Sequence, residues 1–265
     1  MLCLGLVLPA AAKDTQAVKS YTTISEEAYI TNDGSLWMWG SNSRGQLGNG
    51  TRSRSHIPIK VMDDVVSVSC SEYHTAAIQS DSSLWVWGSN MQGALGNGGE
   101  GNAHDTYGMP CQTTPIKIMD DVAAVSCDSY YTAALKTDGS LWTWGSSIQI
   151  GNGGVGNASH YGDMYQSVPV KIMDDVVYVS GSAAIKSDGS LWMWGSNSFG
   201  QLMDKNVGDQ LDSHGDRYQS VPVKVMDDVI FVDAVDTTIA AIKSDGSLWM
   251  WGSDYDGKLG CGSEY

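Results

Sequence analysis

Basic residues are scarce in this chain. Its 265 residues include 15 Lys and Arg against 30 Asp and Glu, which gives a formal charge of −15. Proteins that bind nucleic acid or an anionic membrane surface use Lys and Arg to contact phosphate groups. The composition therefore argues against both kinds of partner, and solubility accounts for the acidic excess.

Long apolar runs are also missing, apart from residues 1–12 (MLCLGLVLPAAA). This run is too short to span a bilayer. It resembles the apolar core and cleavage site of a signal peptide, although the positively charged start is absent. We therefore predict an exported protein, secreted or held at the cell surface, whose mature domain covers residues 13–265.

The five cysteines form no C-x-x-C pair, so a zinc or redox motif is unsupported. Cys3 would be removed with the signal segment. Three pairings remain open for the other four, Cys70, Cys111, Cys127 and Cys261. Cys70 and Cys127 hold the same repeat position, which favours a role as small buried apolar residues.

Internal repeats dominate the sequence. Residues 33–41 read DGSLWMWGS, and close variants of this segment return four times. All ten Trp lie in the five resulting pairs, at positions 37/39, 85/87, 142/144, 192/194 and 249/251. Alternate residues of a strand share a face, so Leu-Trp-x-Trp is apolar on both faces and needs cover on both sides. Stacked blades of a β-propeller provide that environment.

A second motif alternates with the first. Residues 58–65 (PIKVMDDV) return at 115–122, 169–176 and 222–229, and each Asp-Asp pair marks a turn between strands. Ser-Asp-Gly-Ser before the Trp pairs predicts a tight hairpin turn, because Gly accepts positive φ. Ser82 replaces that Gly once, and if the turn is kept it should lower the stability of the fold by about 1 kcal/mol. The fourth unit is four residues shorter before its hairpin, which predicts a trimmed connection.

Residues 36–50 (LWMWGSNSRGQLGNG) resemble the signature of the regulator of chromosome condensation repeat, and residues 70–78 (CSEYHTAAI) are similar to its other half. The resemblance extends over about residues 24–262. It implies an all-β fold, a β-propeller of about five tandem blades, each a small antiparallel sheet. The family usually closes a seven-bladed ring. A five-bladed ring, an incomplete seven-bladed ring and a ring completed by a partner chain therefore stay open.

The resemblance implies the fold more firmly than the function. The eponymous family member is a nucleotide-exchange factor for a small GTPase and binds chromatin. An acidic chain with a predicted export signal is more similar to secreted bacterial members, one of which inhibits an enzyme with its propeller face. The His of the family motif is kept only as His74. Its position reads Tyr131 in the third unit and Thr237 or Thr238 in the fifth.

Residues that recur with the repeat are interpreted as structural. The Trp pairs suit packing between blades, and the Asp-Asp pairs suit capping of backbone donors in turns. A catalytic carboxylate pair would need one site with two different environments. Because no nucleophile and base stand out either, we predict no catalysis and no cofactor.

Three units carry long polar inserts before the Pro of the second motif, at residues 97–114, 151–168 and 203–221. Their common place in consecutive units predicts that they emerge on one face of the disc. Aromatic and adaptable polar side chains on such loops are typical of recognition surfaces. The predicted partner-binding residues are His104, Tyr107, His160, Tyr161, Tyr165, His214 and Tyr218.

Metal binding by the inserts is an alternative. Three His on adjacent blades could converge on a metal, but exposed loop His is the commoner case. Residues 204–216 faintly resemble a calcium loop, although Gly208 stands where a ligand is needed and no Glu follows at position twelve. We therefore predict no metal site and a non-catalytic scaffold that binds a protein. A glycan- or calcium-binding surface module is the alternative, and an exchange factor comes third.

Overall fold

A computed structural model describes residues 19–22, 26–160, 163–212, 214–235, 237–260 and 262. These residues form five antiparallel sheets that follow one another along the chain, with two short 3₁₀ turns at Met91–Gly93 and Tyr255–Gly257. The all-β propeller predicted from the repeats is confirmed. The predicted signal segment, residues 1–12, lies outside the described residues, and export stays a prediction.

Each sheet is one blade, with strands numbered in chain order. Blade 1 contains β1 (Lys19–Thr22), β2 (Glu26–Ile30), β3 (Leu36–Gly40) and β4 (Ser55–Met62). Blade 2 contains β5 (Val65–Cys70), β6 (His74–Gln79), β7 (Leu84–Ser89), β8 (Ala103–His104) and β9 (Pro110–Met119). Blade 3 contains β10 (Val122–Asp128), β11 (Tyr131–Lys136), β12 (Leu141–Ser146), β13 (Ala158–His160) and β14 (Asp163–Met173). Blade 4 contains β15 (Val176–Ser180), β16 (Ala183–Lys186), β17 (Leu191–Ser196), β18 (Gln210–Leu211) and β19 (Arg217–Met226). Blade 5 contains β20 (Val229–Val235), β21 (Thr238–Lys243) and β22 (Leu248–Gly252).

The Leu-Trp-x-Trp strand is the third strand of every blade. In blades 1 to 4 a long strand pairs with its outer side, and in blades 2 to 4 a short insert strand is added beyond that one. The third strand is therefore interior to its sheet, as its two apolar faces require. In the described part of blade 5, the equivalent strand β22 is at the edge.

The Asp-Asp turns connect the outer long strand of one blade to the first strand of the next. The second Asp adopts positive φ, 59° at Asp64, a conformation that Asp tolerates better than most residues. The first Asp pairs with a Lys of the preceding strand, with Lys60 Nζ 2.5 Å from an Asp63 carboxylate oxygen. In the hairpin turns, Ser82 has a φ of 66°. The geometry that Gly favours is thus kept there, as the sequence predicts.

These turns define two faces of the propeller. Asp-Asp turns and hairpins meet on the turn face, where the Val65 N–H donates to the Gly34 carbonyl at 2.8 Å. The connections after the first and third strands meet on the opposite side, where the Ser89 N–H donates to the Tyr73 carbonyl at 2.8 Å. We call that side the insert face, because all three inserts leave from it, in agreement with their common place in the repeat.

Blade 4 has the trimmed connection that its shorter sequence predicts. β15 and β16 remain paired up to Ser180 and Ala183, so only two residues form the turn. Where the second strand pairs with the third, His74 is opposite Gly88 in blade 2 and Thr238 is opposite Gly252 in blade 5. The motif's His position therefore falls on Thr238 in blade 5.

Hydrophobic cores lie between adjacent blades. Leu36 and Met38 of blade 1 cluster with Val68 and Cys70 of blade 2, together with Trp87. Equivalent clusters fill the next three junctions. The predicted apolar role of the cysteines fits this packing: Cys70 and Cys111 are buried and Cys127 is half-buried, while Cys261 lies outside the described residues.

In blades 2 to 5, the second Trp of the pair fastens its blade to the preceding blade. Its indole N–H donates to a backbone carbonyl in the preceding blade's Gly-rich loop. The pairs are Trp87 with Gln46 (2.8 Å), Trp144 with Ala94 (2.8 Å), Trp194 with Gln149 (2.7 Å) and Trp251 with Gln201 (2.7 Å). At the first two junctions, a Thr hydroxyl donates to the same carbonyl: Thr75 at 3.0 Å and Thr132 at 2.9 Å. The predicted packing between blades therefore applies to this second Trp, whereas the first Trp of each pair is at most half-buried.

A glycine lies under the indole at the first three junctions. Gly48, Gly96 and Gly151 have φ of 71–73°, and a Cβ on Gly96 would lie 2.8 Å from Trp144 Nε1. That distance is too short for a carbon atom, so the packing requires glycine. At the fourth junction Met203 holds this place with a φ of 69°, where an L-residue is strained.

Candidate partner-binding face

The Gly-rich loops on the insert face are held by buried Asn side chains. Asn42 Oδ1 accepts the Leu47 N–H at 3.0 Å, and its Nδ2 donates to the Thr51 carbonyl at 3.0 Å. Asn90 and Asn197 repeat this arrangement in blades 2 and 4. The amide is buried, its oxygen accepts a hydrogen bond and its nitrogen donates one. Each loop is therefore rigid and supports the neighbouring insert.

The blade 2 insert is a hairpin anchored by a buried carboxylate. Asp105 Oδ1 accepts the N–H groups of Tyr107 and Met109 at 2.8 and 2.9 Å. Its Oδ2 lies 3.6 Å from Nε of Arg44 in the blade 1 loop. Because the Asp105 side chain is only 3% exposed, this ion pair is shielded from solvent. The hairpin tip presents Tyr107, which is 78% exposed.

An Arg-Tyr-Tyr stack crosses the first three blades on the same face. The Arg44 guanidinium carbon lies 3.8 Å from the ring centroid of Tyr73. The rings of Tyr73 and Tyr130 stack with centroids 5.0 Å apart and an interplanar angle of 26°. Contacts of these kinds contribute about 0.5–1.5 kcal/mol each. The stack therefore stiffens two junctions, and both of its Tyr residues are half-buried.

Tyr130 stays protonated at physiological pH. Burial raises its pKa to about 12, and a hydrogen bond with Tyr73 contributes in the same direction. The stack presents a guanidinium group, two aromatic rings and hydroxyl groups, with the exposed Glu72 beside them. This mixture suits hydrogen bonding and ring packing against a protein surface.

Three of the predicted binding residues are exposed on the inserts. His104 lies in β8 opposite Pro110, Tyr107 is at the tip of that hairpin, and His214 lies in the blade 4 turn. The backbone of His160 ends β13, and Tyr161 lies outside the described residues. The three His thus stand at different points of their hairpins, although all on one face.

Tyr165 and Tyr218 hold one repeat position and are half-buried. The Tyr165 ring lies against Gly93 of the blade 2 loop, where a Cβ would come within 2.8 Å of its Cδ2. The Tyr218 hydroxyl lies beside Gly154 of the blade 3 loop in the same way, 3.3 Å from a Cβ built there. Both Tyr seat their insert on the preceding blade. Their role in binding a partner stays a prediction.

Family comparison agrees with this repeat architecture. A profile of the regulator of chromosome condensation (RCC1) repeat matches residues 33–78 and 81–135, and a second profile of the same repeat matches residues 65–93 and 179–201. The chain belongs to the RCC1 repeat family. It is 28% identical to the mitochondrial RCC1 domain-containing protein RUG3 of Arabidopsis thaliana over 242 residues, which are 87% of this chain and 52% of RUG3. Human Protein RCC2 is 24% identical over 137 residues, 49% of this chain and 25% of RCC2.

Solved RCC1 propellers share the fold. Yeast RCC1 (Prp20) bound to Kap60 has a TM-score of 0.73 at 19% identity, covering 93% of this chain and 59% of that one. Human WBSCR16 has a TM-score of 0.69 at 20% identity, covering 93% and 65%. The chain thus spans about half the length of RUG3 and about three-fifths of these propellers.

The one His of the RCC1 motif is structural in this chain. His74 is fully buried, with Nε2 2.8 Å from the Thr132 hydroxyl of blade 3 and Nδ1 2.9 Å from the Ser71 hydroxyl. Thr132 gives its own proton to the Ala94 carbonyl and therefore accepts one from Nε2. Burial lowers the pKa of His74 to about 4, so the ring is neutral at pH 7. It fastens blade 2 to blade 3.

The described ranges contain no helix long and apolar enough to cross a membrane. Within those ranges, no three His, Cys, Asp or Glu side chains come together as a metal site would need.

The sequence pattern did not reveal the Arg-Tyr-Tyr stack. Arg44 reads as a variable position of the signature loop, and its contact with Tyr73 joins residues of two units. One signal was available, because Tyr73 and Tyr130 both stand directly before the motif's His position in consecutive units.

Proposed function

We propose that this RCC1 propeller is a non-catalytic scaffold that binds a partner protein through its insert face. The partner contacts the tip of the blade 2 insert and the neighbouring Arg-Tyr-Tyr stack. Exposed insert residues His104 and His214 lie at the margin of the same surface.

The observation that carries this proposal is the pairing of a rigid base with exposed aromatic groups. Tyr107 is 78% exposed, yet the hairpin below it is pinned through Asp105 to Arg44. A fixed aromatic anchor loses little conformational freedom on binding, which favours affinity. Tyr and Arg are also the residue types that most often dominate protein interfaces.

The related propellers support a protein partner rather than a nucleic acid. Yeast RCC1 (Prp20) has been crystallised with Kap60, and Prp20p has been studied for its binding to Gsp1p and histones. Those partners are properties of the yeast protein. With a formal charge of −15, this chain is itself unsuited to phosphate backbones.

Photo-crosslinking tests the proposal. A photoreactive amino acid placed at Tyr107 should capture a discrete protein from cells that produce this chain natively. The same label at Tyr255, which is also exposed (71%) but lies in the blade 5 loop, is the matched control and should not capture it.

Affinity of the captured protein then gives the decisive comparison. Tyr107→Ala with His104→Ala should weaken binding by about tenfold or more, whereas Tyr255→Ala should leave it unchanged. Equal affinity for all three proteins would contradict the proposal. Binding that depends on added calcium or on a glycan would favour a surface-recognition module instead.

A further inference from the structure

The blade 1 loop on the insert face differs in charge from the inserts beside it. Residues 41–54 contain three of the four Arg of the chain, Arg44, Arg52 and Arg54, and no Asp or Glu. The inserts of blades 2 and 3 carry only acidic charges, and the blade 4 insert has four Asp against one Lys and one Arg. In a chain with a formal charge of −15, this loop is therefore a local concentration of positive charge.

Two of these Arg are not neutralised by the protein itself. Arg44 pairs with Asp105, and the Lys of each long outer strand pairs with the first Asp of the turn that follows it. Arg52 and Arg54 are exposed, and among the residues that the structure describes they find no ion-pair or hydrogen-bond partner. Two guanidinium groups are thus available to a ligand, two residues apart in the sequence.

The backbone that carries these two side chains is fixed. The Asn42 amide donates to the carbonyls of Thr51 and Ser53, at 3.0 and 3.1 Å. Those two residues flank Arg52 on both sides, and Arg54 comes directly before β4. Because the loop is already ordered, little conformational freedom is lost when its side chains bind a ligand.

The loop packs against blade 2, next to the surface proposed for partner binding. The Gly50 N–H donates to the Thr113 carbonyl of β9 at 2.8 Å. Burial raises the pKa of the Cys111 thiol in the same strand, and the positive charge of Arg52 acts on that pKa in the opposite direction. Arg52 therefore lies near the base of the blade 2 insert, and elements from the interior of the sequence form the whole arrangement.

We propose that the partner bound at the insert face presents an acidic segment to the blade 1 loop. Carboxylates of that segment accept hydrogen bonds from Arg52 and Arg54, while neighbouring parts of the partner contact Tyr107. This inference rests on the proposed function and names the chemistry of the partner. It also orients the partner, because the acidic segment lies over blade 1 and away from the acidic blade 4 insert.

A short run of Asp or Glu fits this loop better than a long polyanion does. The planar fork of Arg donates two parallel hydrogen bonds to a carboxylate. A nucleic acid or an anionic membrane would have to extend over the neighbouring acidic inserts, where like charges repel. The basic area is confined to one loop, so it selects a short acidic segment of a protein.

A peptide library tests this chemistry without the partner. Random short peptides displayed on phage and selected on the whole chain should be enriched in Asp and Glu. Non-specific attraction to a chain of charge −15 would enrich Lys and Arg instead. Arg52→Glu with Arg54→Glu should abolish the acidic enrichment. Lys205→Glu with Lys258→Glu makes the same change in net charge at exposed residues of the blade 4 and blade 5 loops, and should keep it.

The protein captured at Tyr107 tests the role of the loop in recognition. Arg52→Glu with Arg54→Glu should weaken its binding by about tenfold or more at low salt, with most of the change in the association rate. Added salt should weaken binding to the wild-type chain more than binding to this variant. The melting temperature should not change, because both side chains are exposed and unpaired within the described residues.

Unchanged affinity of the captured protein for the double Arg variant would overturn this proposal, and an intact effect of Tyr107→Ala would leave the proposed function standing. Selection of peptides without Asp or Glu would also overturn it. An effect of the Arg variant without any effect of the Tyr107 variant would support the basic loop and contradict the contact at the insert tip.

Discussion

Two junctions of the propeller use the same type of contact but differ in the number of hydrogen bonds. They are the junction between blades 2 and 3 and the junction between blades 4 and 5. In the first, the Ala94 carbonyl accepts both Trp144 and Thr132. In the second, the Gln201 carbonyl accepts the indole N–H of Trp251, and Ile239, which has no hydroxyl to donate, stands at the Thr position. Correspondingly, Trp144 is fully buried while Trp251 is 9% exposed.

This comparison separates the part of the repeat that every junction shares from the parts that only some junctions have. The bond from an indole to a loop carbonyl is present at all four junctions, whereas the Thr, the His and the glycine under the indole are added at some of them. The best-fastened junctions are those that support the Arg-Tyr-Tyr stack and the blade 2 insert. A recognition surface benefits from such a base, because a rigid anchor loses less entropy on binding.

Removing an indole at the tight junction should have the largest effect. Trp144→Ala leaves a large cavity and removes one of the two side-chain hydrogen bonds to the Ala94 carbonyl, so it should lower the free energy of unfolding by about 3–5 kcal/mol. Trp249→Ala, at the half-exposed Trp of blade 5, should lower it by less than about half as much. Urea unfolding measures both, and equal losses would contradict the assigned packing.

Acid should weaken the junction between blades 2 and 3. The His74 imidazole takes up a proton near pH 6.5 in the unfolded chain but only near pH 4 in the folded one. The unfolded state therefore binds the proton first as the pH falls, and stability decreases from pH 6.5 to pH 4 by up to about 3 kcal/mol. Below pH 4 this contribution no longer changes.

His74→Gln is the matched control for that pH dependence. Glutamine is neutral throughout and keeps a donor toward Thr132. Its stability curve should be flatter than the wild-type curve between pH 6.5 and pH 4. Parallel curves in this interval would exclude His74 as the group responsible.

Thr132→Val should lower the free energy of unfolding by about 2 kcal/mol. It removes the hydrogen bond to the Ala94 carbonyl and also leaves the His74 N–H without its acceptor. Thr75→Val removes only the bond to the Gln46 carbonyl, so about 1 kcal/mol is expected. Chemical unfolding of both variants measures the difference. If Thr75→Val cost as much as Thr132→Val, the His74 bond would add nothing.

The smallest effect should have the opposite sign. Met203→Gly relieves an L-residue at a φ of 69° and should raise the free energy of unfolding by about 0.5–1 kcal/mol. Gly96→Ala, at the same repeat position, should instead lower it, because the added Cβ meets Trp144 Nε1. A thermal melt compares them, and stabilisation by Gly96→Ala would show that the loop adapts freely.

The blades were predictable because their signals are local. The Leu-Trp-x-Trp strand, the tight turn kept at Ser82 and the trimmed connection of blade 4 each depend on a few consecutive residues. The single face of the inserts followed from their equal place in the repeat. Repetition raised the weight of each signal, because the same pattern had to serve in five sheets.

The contacts between blades were not predictable in the same way. The bond from Trp144 to the Ala94 carbonyl spans 50 residues and uses a backbone acceptor that the side-chain sequence does not mark. Arg44 contacts Tyr73 because the blade 1 loop packs against blade 2. Tyr165 and Tyr218 resembled recognition residues, and only the glycines beneath them show that they also seat the inserts.

The most direct test of the central claim is the hydrogen-exchange footprint of the partner captured at Tyr107. The account predicts slowed exchange on the insert face, at residues 72–73, 103–109 and 129–130, with the turn face unchanged. Protection of the Asp-Asp turns at residues 63–64 and 120–121 instead, with the inserts unprotected, would contradict it.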